Sequence, residues 1–195
     1  MKVRLSTRCA LISGPQPEAV FGAVLQLLLK ARLDLRLDEG SNSYEEDVNA
    51  YLGGVLVSYI DPEFLCDVSK LLARHDVDVY SAVDKAMPDK IRVYRIYKAN
   101  ADDLLISRGI FRPASGQVEE LGRIKEYYAC ASECQKRIYG KPTALAEIQA
   151  KLSDRAERYL AVLGQLRTGY LHFVQQVSTE ELADFSRRLD SSQAA

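Results

Sequence analysis

Residues 143–177 read TALAEIQAKLSDRAERYLAVLGQLRTGYLHFVQQV and hold the longest periodic pattern in the chain. Their apolar residues recur every three or four positions and stay on one face of an ideal helix. These residues are Leu145, Ile148, Leu152, Ala156, Tyr159, Leu163, Leu166, Tyr170, Phe173 and Val177. The spacing predicts a helix roughly 50 Å long if it is unbroken, at about 1.5 Å per residue. Gly164 and Gly169 are candidate bends, and Ser153 is a candidate restart.

Helical spacing continues upstream of this stretch, and proline, glycine and capping residues divide it. A first helix is predicted from Pro17 to about Arg32. Ser43 and Glu46 form a capping-box pattern that opens a second helix, and its Gly53-Gly54 pair indicates close helix packing. Asp61-Pro62 opens a third helix as N-cap and first helical residue.

The second half of the chain gives two further helices before residue 143. One is predicted from about Asp89 to Ser107, with Gly109 as its C-terminal stop. The next runs to about Tyr139, where Gly140 ends it. The pattern therefore predicts a single all-α domain over residues 1–189.

The predicted domain is an irregular bundle of about seven or eight helices, followed by a frayed tail at residues 190–195. The alternative is an α+β fold. Residues 33–37, 76–80 and 91–97 alternate between apolar and polar side chains, which is typical of strands and predicts a small sheet.

Charge is balanced overall but unevenly distributed along the 195 residues. The net charge is −1, which argues against a dedicated duplex-DNA binder, since such proteins carry a basic excess. Residues 1–84 carry 8 basic and 13 acidic side chains, whereas residues 85–141 carry 12 basic and 7 acidic ones. The basic middle segment either pairs with the acidic N-terminal third or meets an anionic partner.

The four cysteines, Cys9, Cys66, Cys130 and Cys134, lack the paired spacing of a zinc site. We expect reduced thiols, no bound metal and no cofactor in a cytoplasmic protein. The apolar run 19–29 is too short to cross a membrane, which takes about 20 residues. It is better explained as a buried helix.

One segment, Lys90–Lys98, combines basic and aromatic residues in a way that predicts a ligand cleft. Arg95, Lys98 and Asp102 share an edge of the predicted helix, and tyrosines lie beside them. Arginine offers a planar set of donors to an anion, and a tyrosine hydroxyl adds another. The candidate cleft consists of Arg95, Lys98 and Asp102 at its edge and Tyr94, Tyr97 and Tyr128 in its floor. The competing interpretation is an amphipathic helix in which Asp102 is a structural anchor.

Five short motifs follow one another between residues 44 and 139. They are Tyr51-Leu52 with Leu56, the segment Tyr94–Lys98, Ala101-Asp102-Asp103-Leu104-Leu105, Gly109-Ile110-Phe111 and Tyr127-Tyr128. Their order resembles a group of uncharacterised bacterial all-helical proteins with no known activity. In that group a glycine precedes the first aspartate, and here Ala101 takes its place. The resemblance implies an all-α fold and implies no reaction.

No catalytic or nucleotide-binding motif occurs in the sequence, so no catalytic residue is predicted. The pattern favours a non-enzymatic interaction or scaffold protein of a bacterial cytosol. Its partner is another protein or a second copy of the chain, because residues 143–177 offer more apolar surface than one copy always needs to bury. The first alternative is a helical protein or enzyme that binds an anionic small molecule at the Arg/Tyr cleft. The second is a nucleic-acid-associated factor that uses the basic middle segment.

Overall fold

The computed structural model describes residues 17–37, 45–73, 75–111 and 118–171, and these form eight α-helices and no strand. The helices are α1 Pro17–Asp34, α2 Glu46–Ser58, α3 Pro62–Ser69, α4 Asp76–Ala86, α5 Lys90–Ile106, α6 Val118–Tyr139, α7 Ala144–Asp154 and α8 Ala156–Leu166. Two short π-helices, Ser107–Phe111 and Arg167–Leu171, follow α5 and α8. The all-α prediction is confirmed. The tail at 190–195 and Cys9 lie outside the described residues.

The α+β alternative is wrong for all three alternating segments. Residues 76–80 lie in α4, residues 91–97 lie in α5, and residues 33–37 contain the end of α1 and a turn. Side chains two apart on a strand share a face. Here Val79 is fully buried, whereas Val77 is 76% exposed. That contrast is the signature of a helix rather than of a strand.

Local capping explains where several helices begin and end. The side chain of Asp61 accepts a hydrogen bond from Glu63 N at 2.9 Å, and the side chain of Asp89 accepts one from Ile91 N at 3.0 Å. Thr143 caps α7 in the same way, and Gly140 ends α6 with a φ of 68°. The side chains of Asp61, Asp89 and Thr143 thus satisfy backbone N–H groups that a helix leaves without partners. The predicted stop at Gly109 is wrong, because the chain continues there into the first π-helix.

The long periodic stretch is interrupted at Arg155, which has φ −118° and ψ 32° and separates α7 from α8. Arg155 forms an ion pair with Glu45, the residue before α2. Glu45 is fully buried and also accepts from Arg32 at 3.2 Å. Burial raises the pKa of Glu45, but the nearby Tyr159 hydroxyl and the guanidinium groups of Arg32, Arg158 and Arg155 together outweigh burial and lower it. The break therefore lies where a buried ion cluster joins α8 to α1 and α2.

Helix packing buries one continuous core. Helix α6 lies between α5 and α7, and α1 contacts α2 and α8. A Cβ added at Gly53 would lie 3.1 Å from Leu25 Cδ2, so Gly53 marks close packing of α2 on α1, as predicted for the pair. Gly54 does not, because no atom lies within 4 Å of its added Cβ. Leu152, Tyr159 and Leu163 are buried within one chain. They need no second copy to cover them, and the homodimer stays a prediction.

Candidate functional site

A buried carboxylate, Asp102 on α5, organises the centre of the molecule. Its Oδ1 accepts hydrogen bonds from Tyr51 Oη at 2.7 Å and from Tyr128 Oη at 2.8 Å. Its Oδ2 accepts from Lys98 Nζ at 2.6 Å, one helical turn away. Asp102 therefore ties α5 to α2 through Tyr51 and to α6 through Tyr128, and its third hydrogen bond, from Lys98, lies within α5.

Lys98 is fixed in place by two interactions and still reaches solvent. Besides the ion pair with Asp102, its ammonium lies 5.3 Å from the centre of the Tyr51 ring. The Lys98 side chain keeps 28% of its surface exposed. Because an ammonium has three N–H donors, Lys98 retains donors for a further partner.

Arg95, Lys98 and Asp102 line one cavity of about 120 Å³ between α3 and α5. The opposite wall is mostly apolar and aromatic. It consists of Tyr59, Phe64, Val68 and Leu71, with Ala99 beside the charged residues. Arg95 is exposed, and no hydrogen bond or ion pair engages it within the part of the chain that the structure describes. The three edge residues predicted from the sequence thus share a cavity.

The floor of the cavity differs from the predicted one. Tyr128 bonds Asp102 from the buried side, and the hydroxyl of Tyr94 accepts from Gln149 Nε2 on α7 at 3.1 Å. Tyr97 faces α6, with its ring 6.1 Å from that of Tyr127. None of the three predicted tyrosines lines the cavity. Tyr94 and Tyr97 lie on other faces of α5 than the one that lines the cavity. Tyr128 contacts Asp102 from α6.

Several residues of the site were not predicted because they come from other helices. Tyr51 on α2, Tyr59 just after α2 and the apolar wall of α3 meet α5 only through tertiary packing. Asn100 was also missed. Its Nδ2 donates to the carbonyl oxygen of Leu71 at 2.9 Å, and its Oδ1 accepts from Ala73 N at 3.0 Å. Asn100 thereby fixes the segment after α3 against α5.

Burial and nearby negative charge raise the pKa of the tyrosines around this site. Burial and then the charge of Asp102 raise the pKa of Tyr51 and of Tyr128 well above 10. Burial and then the charge of Asp103 raise the pKa of Tyr59. Burial raises the pKa of Tyr97 to about 12. The hydroxyls of Tyr51, Tyr128 and Tyr59 donate hydrogen bonds to carboxylates.

The raised tyrosine pKa values predict alkaline destabilisation. In the unfolded chain Tyr51 and Tyr128 lose their protons near pH 10, whereas in the folded chain they keep them. The stabilisation is therefore complete below pH 10 and is lost as pH rises above it. Each tyrosine contributes a slope of about 1.4 kcal/mol per pH unit. The free energy of unfolding measured in urea should fall at least twice as steeply with pH as one tyrosine would give, because the raised pKa values of Tyr59 and Tyr97 act in the same direction.

The variant carrying both Tyr51→Phe and Tyr128→Phe provides the control for this pH dependence. It loses two ionisable groups, so its free energy of unfolding should fall less steeply above pH 10 than that of the wild type. Equal slopes in the two proteins would contradict the assignment of the alkaline effect to these tyrosines.

The arrangement is suited to binding an anion beside an apolar group. Among the described residues no cluster of three or more His, Cys, Asp or Glu side chains is placed to hold a metal ion, and Cys130 and Cys134 are half-buried free thiols. No helix in the described ranges is long and apolar enough to span a bilayer.

No protein-family model matches this chain, and no curated protein or solved structure is significantly similar to it.

Proposed function

We propose that the protein binds a small organic anion in the cavity between α3 and α5. The observation that carries this proposal is the position of Arg95 and Lys98 on one wall of a cavity whose other wall is apolar. A ligand with a carboxylate and a short apolar body matches both walls. The role is one of binding, and no residue is assigned a catalytic step.

Arg95 is the principal anion contact in this proposal. Its guanidinium is exposed, and its planar donors match the two oxygens of a carboxylate. Lys98 supplies a second positive charge, which Asp102 holds at a fixed position. The three charged groups leave one net positive charge at the cavity, so an anion is favoured over a neutral or cationic ligand.

The apolar wall selects the body of the ligand. Phe64, Val68 and Leu71 present aromatic and aliphatic surface opposite the cations. The cavity of about 120 Å³ is small beside sites of roughly 300–1,000 Å³ that hold drug-sized ligands. Benzoate and butyrate are suitable probes, because each combines one carboxylate with a compact apolar group.

Arg95→Gln tests the proposal directly. Wild-type protein should bind benzoate in calorimetric titration and gain thermal stability from it, since a ligand that binds only the folded state stabilises that state. Arg95→Gln should abolish the benzoate-induced shift. It should change the stability of the free protein by less than about 0.5 kcal/mol, because Arg95 is exposed.

Lys141→Gln is the matched control for Arg95→Gln. It removes an exposed cation that does not line the cavity, so its benzoate response should equal that of the wild type. Two results would exclude the proposed site. One is an undiminished benzoate response in Arg95→Gln. The other is the absence of any response to benzoate, butyrate or inorganic phosphate in the wild type.

A further inference from the structure

We infer that the cavity is one end of a longer groove that binds an acidic peptide segment of another protein. This inference rests on the proposed anion site and extends it to a class of partner. The groove runs along α5 from the Asp102 cavity toward the N-terminus of the helix. An apolar side chain of the peptide occupies the cavity, and its acidic side chains lie along the groove.

Continuity of lining residues supports a single groove. A second cavity of about 480 Å³ adjoins the first toward the N-terminus of α5, and a third of about 450 Å³ lies beside the second, between α4 and α5. Leu71 lines all three cavities, and Arg95 lines the first and the second. Lys70 and Arg92 line both the second and the third. Each cavity therefore shares a wall with the next.

Positive charge follows the groove over its whole length. Five cations line it, and they are Lys70, Lys85, Arg92, Arg95 and Lys98. Lys70 is paired with Asp67 at 2.7 Å, and Lys98 is paired with Asp102. Lys85, Arg92 and Arg95 have no ion-pair partner within the described part of the chain. They are available to carboxylates of a partner.

Four acidic groups line the groove, and three of them, Asp67, Asp89 and Asp102, already have hydrogen-bond partners. Asp67 bonds the ammonium of Lys70, and Asp89 accepts backbone N–H groups at the start of α5. Asp78 also lines the third cavity, where Lys70, Lys85 and Arg92 outnumber it. The five cations therefore exceed the four acidic groups by one, and the three cations without an ion-pair partner exceed Asp78 by two.

The wall between the cavities is fixed before any partner binds. Asn100 is buried and bonds the backbone of both Leu71 and Ala73. It also donates to the carbonyl oxygen of Ile96 on its own helix at 2.8 Å. A groove held by buried hydrogen bonds loses little conformational entropy on binding, and this favours affinity.

The dimensions and composition of the groove favour a peptide. From Arg92 to Asp102, α5 advances about 15 Å at about 1.5 Å per residue. An extended peptide covers that distance with about five residues at roughly 3.3 Å each. Tyr59 and Phe64 lie only in the first cavity, and no aromatic residue lines the other two. A single-stranded nucleic acid needs aromatic side chains along its path on which successive bases stack.

The test uses a fluorescent, capped hexapeptide of four glutamates with a leucine at each end, measured by anisotropy. Either direction of the peptide then places a leucine at the cavity. The wild type should bind it about tenfold more tightly than the same peptide with glutamines, because the groove selects acidic side chains. Raising salt from about 50 mM to about 300 mM should weaken binding, as expected for exposed ion pairs.

The double variant Lys85→Gln with Arg92→Gln separates the groove from the cavity. It should bind the peptide about three- to tenfold more weakly, as the loss of two exposed ion pairs predicts. It should bind benzoate as the wild type does, because neither residue lines the first cavity. Arg95→Gln should weaken the binding of both the peptide and benzoate. The double variant Lys136→Gln with Lys141→Gln removes two cations outside the groove. It should change neither the affinity for the peptide nor the affinity for benzoate.

Three results would overturn the inference while leaving benzoate binding intact. The first is equal affinity for the glutamate and glutamine peptides. The second is peptide binding that is unaffected by the Lys85 and Arg92 substitutions. The third is a single-stranded oligonucleotide or tripolyphosphate that binds more tightly than the peptide and depends on the same two cations. If the wild type does not bind benzoate at all, the proposed function itself is contradicted.

Discussion

Asp102→Ala is expected to lower the free energy of unfolding by about 3–5 kcal/mol, the range observed when one member of a buried charged pair is removed. Asp102 is buried and accepts hydrogen bonds from Tyr51, Tyr128 and Lys98. Alanine leaves two buried hydroxyl donors without an acceptor and the ammonium without its counter-ion. Urea or thermal unfolding at neutral pH measures the loss.

Asp102→Asn should have a smaller effect than Asp102→Ala. An amide oxygen still accepts from the tyrosine hydroxyls, so the main loss is the charge that faces Lys98. We expect a cost of about 2 kcal/mol, within the range for removal of a hydrogen bond to a charged group. We therefore expect Asp102→Ala to be the least stable of the three proteins, Asp102→Asn to be intermediate and the wild type to be the most stable.

Glu126→Gln is the matched control for the Asp102 variants. Glu126 accepts from Tyr80 Oη at 2.7 Å, so it forms the same kind of bond, but it does so in solvent. Exposed charged pairs contribute less than about 1 kcal/mol. If Asp102→Ala costs no more than Glu126→Gln, the buried network does not carry the stability that its geometry implies.

The parts of the fold that local chemistry determines were predictable from the sequence. Asp61, Asp89 and Thr143 cap helices through bonds to residues two or three positions later. Lys98 and Asp102 are four apart, so their pairing follows from helical geometry alone. In each case a short window of sequence contains both partners.

The alternating segments gave rise to the α+β alternative because a short window of apolar and polar residues fits a strand as well as a helix. Ile91 and Val93 fit one face of a strand, yet Ile91 is 59% exposed and Val93 is buried. The helix prevails because Asp89 caps it and its apolar residues continue at helical spacing through Leu105. Five residues are too few to distinguish a period of two from one of 3.6.

Long-range contacts account for what the sequence did not predict. The break at Arg155 depends on Glu45, which is 110 positions away. Arg32 and Glu45 look like surface charges in the sequence, but packing of α1, α2 and α8 buries both. In the candidate site, Phe64 and Leu71 belong to a wall that only the packing of α3 on α5 creates. No local pattern encodes such a juxtaposition.

Gly109→Ala is expected to destabilise the protein by about 3 kcal/mol, at the upper end of what overpacking a core costs. A Cβ at position 109 would lie 2.5 Å from Leu163 Cβ and 2.8 Å from Leu163 Cδ1. The Cβ of Leu163 is fixed to its backbone, so the first π-helix or α8 would have to move. The sequence predicted this glycine as a helix stop, whereas the structure shows that it permits close approach. The free energy of unfolding in urea measures the cost.

Two further variants make the Gly109 prediction specific. Gly122→Ala places a methyl group on α6 where no atom lies within 4 Å, so it should stabilise the protein by about 0.5–1 kcal/mol. Leu163→Ala opens a cavity and should cost about 2–5 kcal/mol by itself. Because the added methyl at 109 then loses part of its clash, the double variant should be more stable than the sum of the two single losses predicts. Strict additivity would show that Leu163 Cγ and Cδ1 do not contribute to the Gly109→Ala effect, which would then come from Leu163 Cβ, an atom that alanine retains.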